Sequence, residues 1–357
     1  MTNLAVVGGG VIGLSAAWRA ARTGREVTVY DPEPARGGAS WLAGGMLAPV
    51  TEAWPGEEDV LRLGEASLKR WPGFARDLAE EGHDPGLAGH GTLVVAFDSA
   101  DAGYLAILAG HLHSLGRAAE RLTGREVKRL EPGTGSVRSG LHVPGDLAVD
   151  NRKLLDALYA ACVGHQVRFV RERVEELPDA EAVVLAAGAW TGRLHPLLAG
   201  AVRPLKGEIL RLKLRRGCLP PPTHTVRAVV EGRPIYLVPR GDQELVLGAT
   251  QYEAGFDRAV TARGVRELLE GAERVFPAIT EYELTETAAG LRAGSRDALP
   301  YLGVLDDGVF AATGHHRNGL LMAPVTADAV VAWLEGEAPP EGTAAASPAR
   351  LHQKEHV

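Results

Sequence analysis

The sequence predicts an α/β protein: a Rossmann-like domain assembled from separated stretches of chain, plus an inserted α+β domain built on an antiparallel sheet with flanking helices. Three observations carry this. The chain opens on an apolar run, Leu4-Ala5-Val6-Val7, that enters a glycine cluster and leaves as an alanine-rich helical stretch. Two later apolar runs, Ala182–Ala187 and Val309–Thr313, also end in glycine, at Gly188 and Gly314. The first of these is the uninterrupted kind expected in a parallel sheet covered on both faces. Between them, from about residue 202, the pattern changes to strands separated by turn signals.

The opening stretch reads as strand, tight turn, helix. Gly8 lets the chain turn sharply, Gly10 lets a pyrophosphate approach the backbone, and Gly13 lets the helix pack close to the strand. The amides at the start of that helix, around residues 11–23, would face phosphate groups. The second strand, Val27–Tyr30, ends at Asp31, where the ribose-binding carboxylate of such a unit belongs. Fingerprint, second strand and terminal acid together point to a dinucleotide rather than to an ordinary glycine-rich turn.

The segment Arg36–Pro49 is rich in small residues, which permit close contact with something flat or with another backbone. A helix follows over 57–82, a strand over 91–97 and a helix over 101–116. His111 and His113, two apart on that helix, point to different faces, so they read as surface residues and no metal site is expected. Asp150 caps a helix whose Leu154, Leu155, Leu158 and Ala161 repeat at helical spacing. Cys162, at its end, reads as core. Strands are expected at 167–174, 182–188, 202–213, 225–238, 244–250 and 282–288. A helix capped by Thr261 covers 261–275, and a last helix covers about 319–334. From Glu335 the chain turns to proline, alanine and charge and reads as a disordered tail. The expected division is 1–85, 145–202 and 290–337 for the nucleotide domain, 86–144 and 203–289 for the substrate domain, and 338–357 for the tail.

The 357 residues can bury a large core; 45% are hydrophobic and 23% charged, ordinary for a soluble globular protein. A net charge of −7 without basic runs argues against nucleic acid as the main partner. Two cysteines, Cys162 and Cys218, exclude a disulfide framework and fit a reducing cytoplasm. The apolar start lacks a basic flank and is broken by glycines, so it does not read as a signal peptide and an unprocessed chain is expected; no apolar stretch is long enough to span a membrane.

The fingerprint with Asp31, the Arg36–Met46 segment, Ala187-Gly188, Gly290-Leu291-Arg292 and His315-His316-Arg317-Asn318-Gly319 occur in one order. In that order they resemble the D-amino-acid-oxidase-like flavoproteins. Gly45-Met46-Leu47-Ala48-Pro49, Tyr236–Arg240, Gly248-Ala249-Thr250 and Arg317-Asn318-Gly319 look most like the glycine oxidases of thiamine biosynthesis. The resemblance covers about 1–335. It implies FAD rather than NAD, held non-covalently because no cysteine lies near Arg317. It places Val11 and Ile12 at the pyrophosphate and Asp31 and Pro32 at the ribose. Many relatives carry Glu at the Asp31 position. Ala39, Ser40, Gly44, Gly45 and Met46 would run along pyrophosphate and flavin, and Val174 would meet adenine. Residues His315, His316, Arg317, Asn318, Gly319, Leu320 and Leu321 would wrap the pyrimidine end of the flavin, with the last helix aimed at its C2 carbonyl.

For the reaction, the resemblance implies oxidation of glycine to its imine, with a hydride passing from Cα to the flavin and electrons from there to O2, giving hydrogen peroxide. Arg292 would hold the substrate carboxylate bidentately. Tyr236 would donate to the same group, and the Arg317 carbonyl would accept from the amine. No base is assigned to His315 or His316, since a free amine can lose its proton to solvent. Pro234, two residues before Tyr236, stands where close relatives can carry a polar side chain; with Ala48 and Gln251 it leaves sarcosine and small D-amino acids open as substrates, and the alternatives are a dehydrogenase of the same fold that uses a quinone instead of oxygen and a non-oxidase flavin module of a modification complex. A homo-oligomer, of tetramer or dimer size, is expected by the same resemblance.

Overall fold

The computed structural model describes residues 3–354. One layer is a six-stranded sheet in the spatial order Tyr301–Asp306, Val309–Thr313, Ala182–Leu185, Asn3–Val7, Glu26–Tyr30, Arg168–Val170. Neighbours run parallel except the 301–306 edge, which is antiparallel. Alternation along the first strand sends Leu4 and Val6 into a core formed with the helices Val11–Arg22, Asn151–Gly164 and Gly319–Glu335. Ala5 and Val7 go to the opposite face, with Val183, Leu185, Ala311 and Tyr301. Both faces are covered, which is why these strands are apolar throughout rather than alternating.

The second layer is an eight-stranded sheet. Its order is Glu283–Gly294, Arg203–Lys213, Glu244–Gly248, Arg233–Arg240, Thr225–Val230, Thr92–Ala96, Ser139–Val143, Glu120–Thr123. It is antiparallel but for the 225–230 and 92–96 pair, which run parallel. Leu210, Leu212, Leu237, Leu245 and Leu247 lie on one face, under the Ala262–Val275 helix, whose cap Thr261 accepts from the Gly264 amide at 3.0 Å. The other face turns toward the loops of the first sheet, and it builds the site.

Several expected elements differ. The strand expected over 225–238 is a hairpin, turned at Glu231-Gly232 with φ of 52° and 78°. That two-residue turn needs positive φ at both positions, and the polar run Glu231-Gly232-Arg233-Pro234 marks the break between the two apolar strands. The helix expected over 57–82 is two, Glu58–Leu68 and Trp71–Glu80. Pro72 begins the second because a proline is tolerated only in a helix's first turn. The strand expected over 167–174 stops at Val170. The strand expected to end at 288 runs to Gly294, so Arg292 is a strand residue.

The expected disorder from 338 does not hold for residues 338–354. Thr343 and Ala346 are buried. The Arg350 guanidinium lies 4.1 Å over the Tyr301 ring, pairs with Asp297 at 3.1 Å and donates to Leu299 O at 2.9 Å. One anchored arginine and small alanines suffice to dock this segment on the edge strand, and composition does not reveal that. Residues 355–357 of the expected tail lie outside the described residues. Among the described residues no helix is long and apolar enough to cross a membrane.

Candidate active site

Around the fingerprint, the glycines answer to backbone. A side-chain carbon on Gly13 would collide with Gly8 O, and one on Gly8 (φ 113°) with Ala186 O. At Gly10 it would meet only Ser40 Oγ, at 3.2 Å, so this side of the turn is open. The helix that follows has no acidic residue in its first turn, and its first amide, Val11 N, donates to Ser40 Oγ at 3.1 Å. Its free N-terminal amides and dipole suit an anion. The Asp31 carboxylate accepts from Gly9 N and Glu33 N, both at 2.8 Å, and so braces the turn itself.

From here a cavity of about 1060 Å³ runs between the two sheets. Val11, Ala39, Ser40, Gly44, Gly45 and Met46 form one wall, and His316, Arg317, Asn318, Gly319 and Leu320 form another, where the last helix presents its N-terminal end. The eight-stranded sheet closes it with Tyr236, Arg292 and Arg227. Register explains the spacing. Tyr236 pairs across the sheet with Gly248 on one side and Arg227 on the other. A side chain at Gly248 would overlap the phenol, and one at Gly207 would overlap the Arg292 guanidinium. The two glycines are the floor on which ring and fork lie flat. Arg292 donates to Thr250 O at 3.3 Å and, among the described residues, makes no ion pair. Burial pushes the Tyr236 phenol up, with Glu52 adding to the rise and Arg292 opposing it, so it stays a proton donor. Pro234, Ala48 and Gln251 also line the cavity.

The Arg317 side chain is turned onto two carboxylates: Nε lies 3.0 Å from Glu52 and Nη2 2.8 Å from Glu57. The other Glu52 oxygen lies 3.2 Å from Arg227 Nη2. Burial alone would raise the Glu52 carboxyl, but Arg227 and Arg317 outweigh it and hold it below the usual range. His316, with φ of 50°, is brought down to about 4 by burial and by Arg317 and Arg292. His315 is brought down to about 3 by burial and donates to or accepts from Thr326 Oγ1 at 3.0 Å. Neither imidazole carries a proton to spare at neutral pH.

Behind this network Asp146 is fully buried, with Oδ2 accepting from Thr51 Oγ1 at 2.8 Å. Burial raises it to about 7; Thr51, Thr92 and Arg227 oppose the rise and Glu52 adds to it. Between about pH 4 and 7 the unfolded chain releases this proton and the folded one keeps it, so stability falls as pH rises through that window. Asp146→Asn should remove that slope and stabilise the protein at pH 8 by roughly 4 kcal/mol. Urea midpoints of variant and parent across pH 4–8 measure it; parallel curves would show that Asp146 does not titrate there.

Not every residue named from the sequence lines the cavity. Gly8, Gly10, Ile12 and Gly13 belong to the turn and helix beside it, and Pro32 is exposed beyond Asp31. Gly188 (φ 57°) opens a turn at the end of the 182–185 strand. Val174 packs against the Ala5–Val183 cluster on the first sheet's second face. The Leu321 side chain is in the core, and its carbonyl accepts from Ser67 Oγ and Trp71 Nε1. Of the cysteines, Cys162 is buried with its thiol pushed up by burial, and neither lines the cavity. Sequence reasoning missed Glu52, Arg227 and Asp146. Glu52 sits in an acidic loop and Arg227 in an ordinary strand, and no motif marks either.

A fingerprint sheet and an antiparallel sheet sharing one cavity define a nucleotide-dependent enzyme of two-sheet build. A family model described as DAO, FAD dependent oxidoreductase, matches residues 3–333, and the chain belongs to that family. FAD is its cofactor, and the open turn at Gly10, the uncharged first helical turn and the small-residue wall fit that group. The chain is 32% identical to a glycine oxidase of Geobacillus kaustophilus, over 91% of this chain and 90% of that protein. It is likewise 32% identical to a bifunctional protein ThiO/ThiG of Nostoc, over 91% of this chain but only 51% of that one. Its fold matches the crystal structure of glycine oxidase from Geobacillus kaustophilus with a TM-score of 0.89 at 29% identity, over 100% of both chains.

Proposed function

We propose that the protein is an amino-acid oxidase acting on glycine, and that the imine it forms serves the thiazole branch of thiamine synthesis or hydrolyses to glyoxylate and ammonia. The observation that carries the reading is Arg292, a guanidinium laid flat on Gly207 in the cavity and without a carboxylate partner among the described residues. A cationic fork left free in a partly enclosed site suits a substrate carboxylate. The relatives named above support the choice of an amino acid.

When bound, FAD supplies two-electron oxidation with oxygen as the final acceptor. Val11, Ile12, Ser40 and the 44–46 segment would hold it, with His316–Leu320 at its flavin end. Arg292 binds the carboxylate and fixes the Cα. The Tyr236 hydroxyl donates to the same carboxylate. The Arg317 carbonyl accepts from the amine, while its side chain stays with Glu52 and Glu57. Since burial leaves both histidines weak bases and His315 is turned onto Thr326, the amine loses its proton to solvent before oxidation. The protein's share of catalysis is then orientation and exclusion of water.

Glycine added under nitrogen should bleach the flavin absorbance, and in air each glycine consumed should yield one peroxide. Sarcosine and D-alanine run in parallel test the substrate. Bleaching by either in preference to glycine would replace the assignment, and no bleaching by any of the three would end it.

A further inference from the structure

Outside the groups used above, the same sheet face carries two more buried arginines, Arg211 and Arg240. Residues 236, 238 and 240 share one face of their strand, and all three meet the segment 42–46. Leu42 and Met46 pack against the cluster that contains Val238. A side-chain carbon on Gly44 would stand 2.6 Å from the Tyr236 ring, and one on Gly45, 2.5 Å from Arg240 Nη2. Arg240 Nη2 donates to Gly44 O at 2.6 Å and Nη1 to Pro239 O at 3.1 Å. Nη2 also reaches Asn151 Oδ1 at 3.4 Å, which accepts from Arg211 Nη2 at 3.1 Å. Fully buried Asn151 then donates to Ser40 O at 2.9 Å and Trp41 O at 2.8 Å.

Hydrogen bonds therefore run without a gap from the substrate-side strand to Ser40, whose hydroxyl meets the first amide of the fingerprint helix. The Arg240 side chain is only 6% exposed, and its nearest carboxylate, Asp150, is 3.9 Å away. A guanidinium so deeply buried with so distant a counter-charge is costly. Its short bond is to a backbone carbonyl of the cavity wall, not to an acid.

We propose that Arg240 is a positioning residue for the flavin. Through Gly44 O and Asn151 it fixes the Ser40–Gly45 backbone, so that the strand bearing Tyr236 and the wall facing the cofactor keep one geometry. This rests on reading that wall as the flavin's. The test titrates apo-protein with FAD and measures the flavin midpoint potential and steady-state constants for Arg240→Met and Arg240→Lys. Losing the donor leaves a buried carbonyl unsatisfied, so the FAD Kd should rise about tenfold in Arg240→Met. Lysine, which keeps the charge but not the fork, should recover part of it. The potential should shift and kcat should fall, while the KM for glycine moves by less than about twofold. An Arg240→Met protein with parental Kd and potential would overturn the proposal. If that variant does not fold, Asn151→Ala alone and combined with Arg240→Lys decides. Effects on Kd that fail to add support one shared network, and simple additivity refutes it. Because the readout is flavin affinity, it stands whether or not glycine is the substrate; failure of the substrate reading shows instead in Arg292.

Discussion

Arg292→Ala should raise the KM for glycine by about two to three orders of magnitude while the protein keeps its FAD. Removing one partner of a desolvated, hydrogen-bonded charge pair costs ~2–5 kcal/mol, most of it from leaving the other charge unpaired. Here the substrate carboxylate would be the charge left over. Among the described residues the side chain's one protein acceptor is Thr250 O at 3.3 Å, so its loss unsettles little else. Arg292→Lys should recover only part of the loss, because an ammonium offers a point charge where the fork offers two parallel bonds. Steady-state kinetics with glycine, beside the flavin content of the purified variant, measure both halves. An unchanged KM would remove Arg292 from the carboxylate site, and loss of flavin would move it to the cofactor.

The fingerprint was legible because its constraint is local: Gly8 and Gly13 are needed by backbone a few residues away, and a short pattern can express that. Tyr236 and Arg292 could be named, but not their geometry. They meet because Gly207 and Gly248, on the two intervening strands, leave room for their side chains. The register that brings these four residues together joins distant stretches, pairing Gly207 with Gly290 and Leu205 with Arg292. Glu52 and Arg227 were illegible for a related reason. Each is an ordinary charged residue in an ordinary context until the fold brings a strand at 227 and a turn at 317 within 3.2 Å of the Glu52 carboxylate. The docking of 343–351 failed to show because composition counts residues, while docking there depends on where Arg350 lands.

Glu52 also bears the second large effect. Glu52→Gln should destabilise the protein by about 3 kcal/mol at pH 7, because it strips the shared anion from two arginines whose side chains are 20% and 26% exposed. Glu57 remains for Arg317, whereas Arg227 loses its one carboxylate partner among the described residues. The parent's advantage should depend on pH with a definite sign. The folded Glu52 carboxyl lies below its unfolded value, held there by Arg227 and Arg317 against burial. Its contribution is complete above the ordinary carboxylate pKa of about 4.3 and is lost as pH falls through the depressed one. Denaturant midpoints of parent and variant should therefore differ most at neutral pH and converge in strong acid. A second consequence reaches the site. With Glu52 uncharged, Arg227 becomes a free cation beside Arg292 while Arg317 keeps Glu57, and inorganic anions should compete with glycine more strongly in the variant than in the parent. Equal midpoints at pH 7 together with unchanged sulfate inhibition would mean that Glu52 neither anchors these arginines nor neutralises Arg227 beside Arg292.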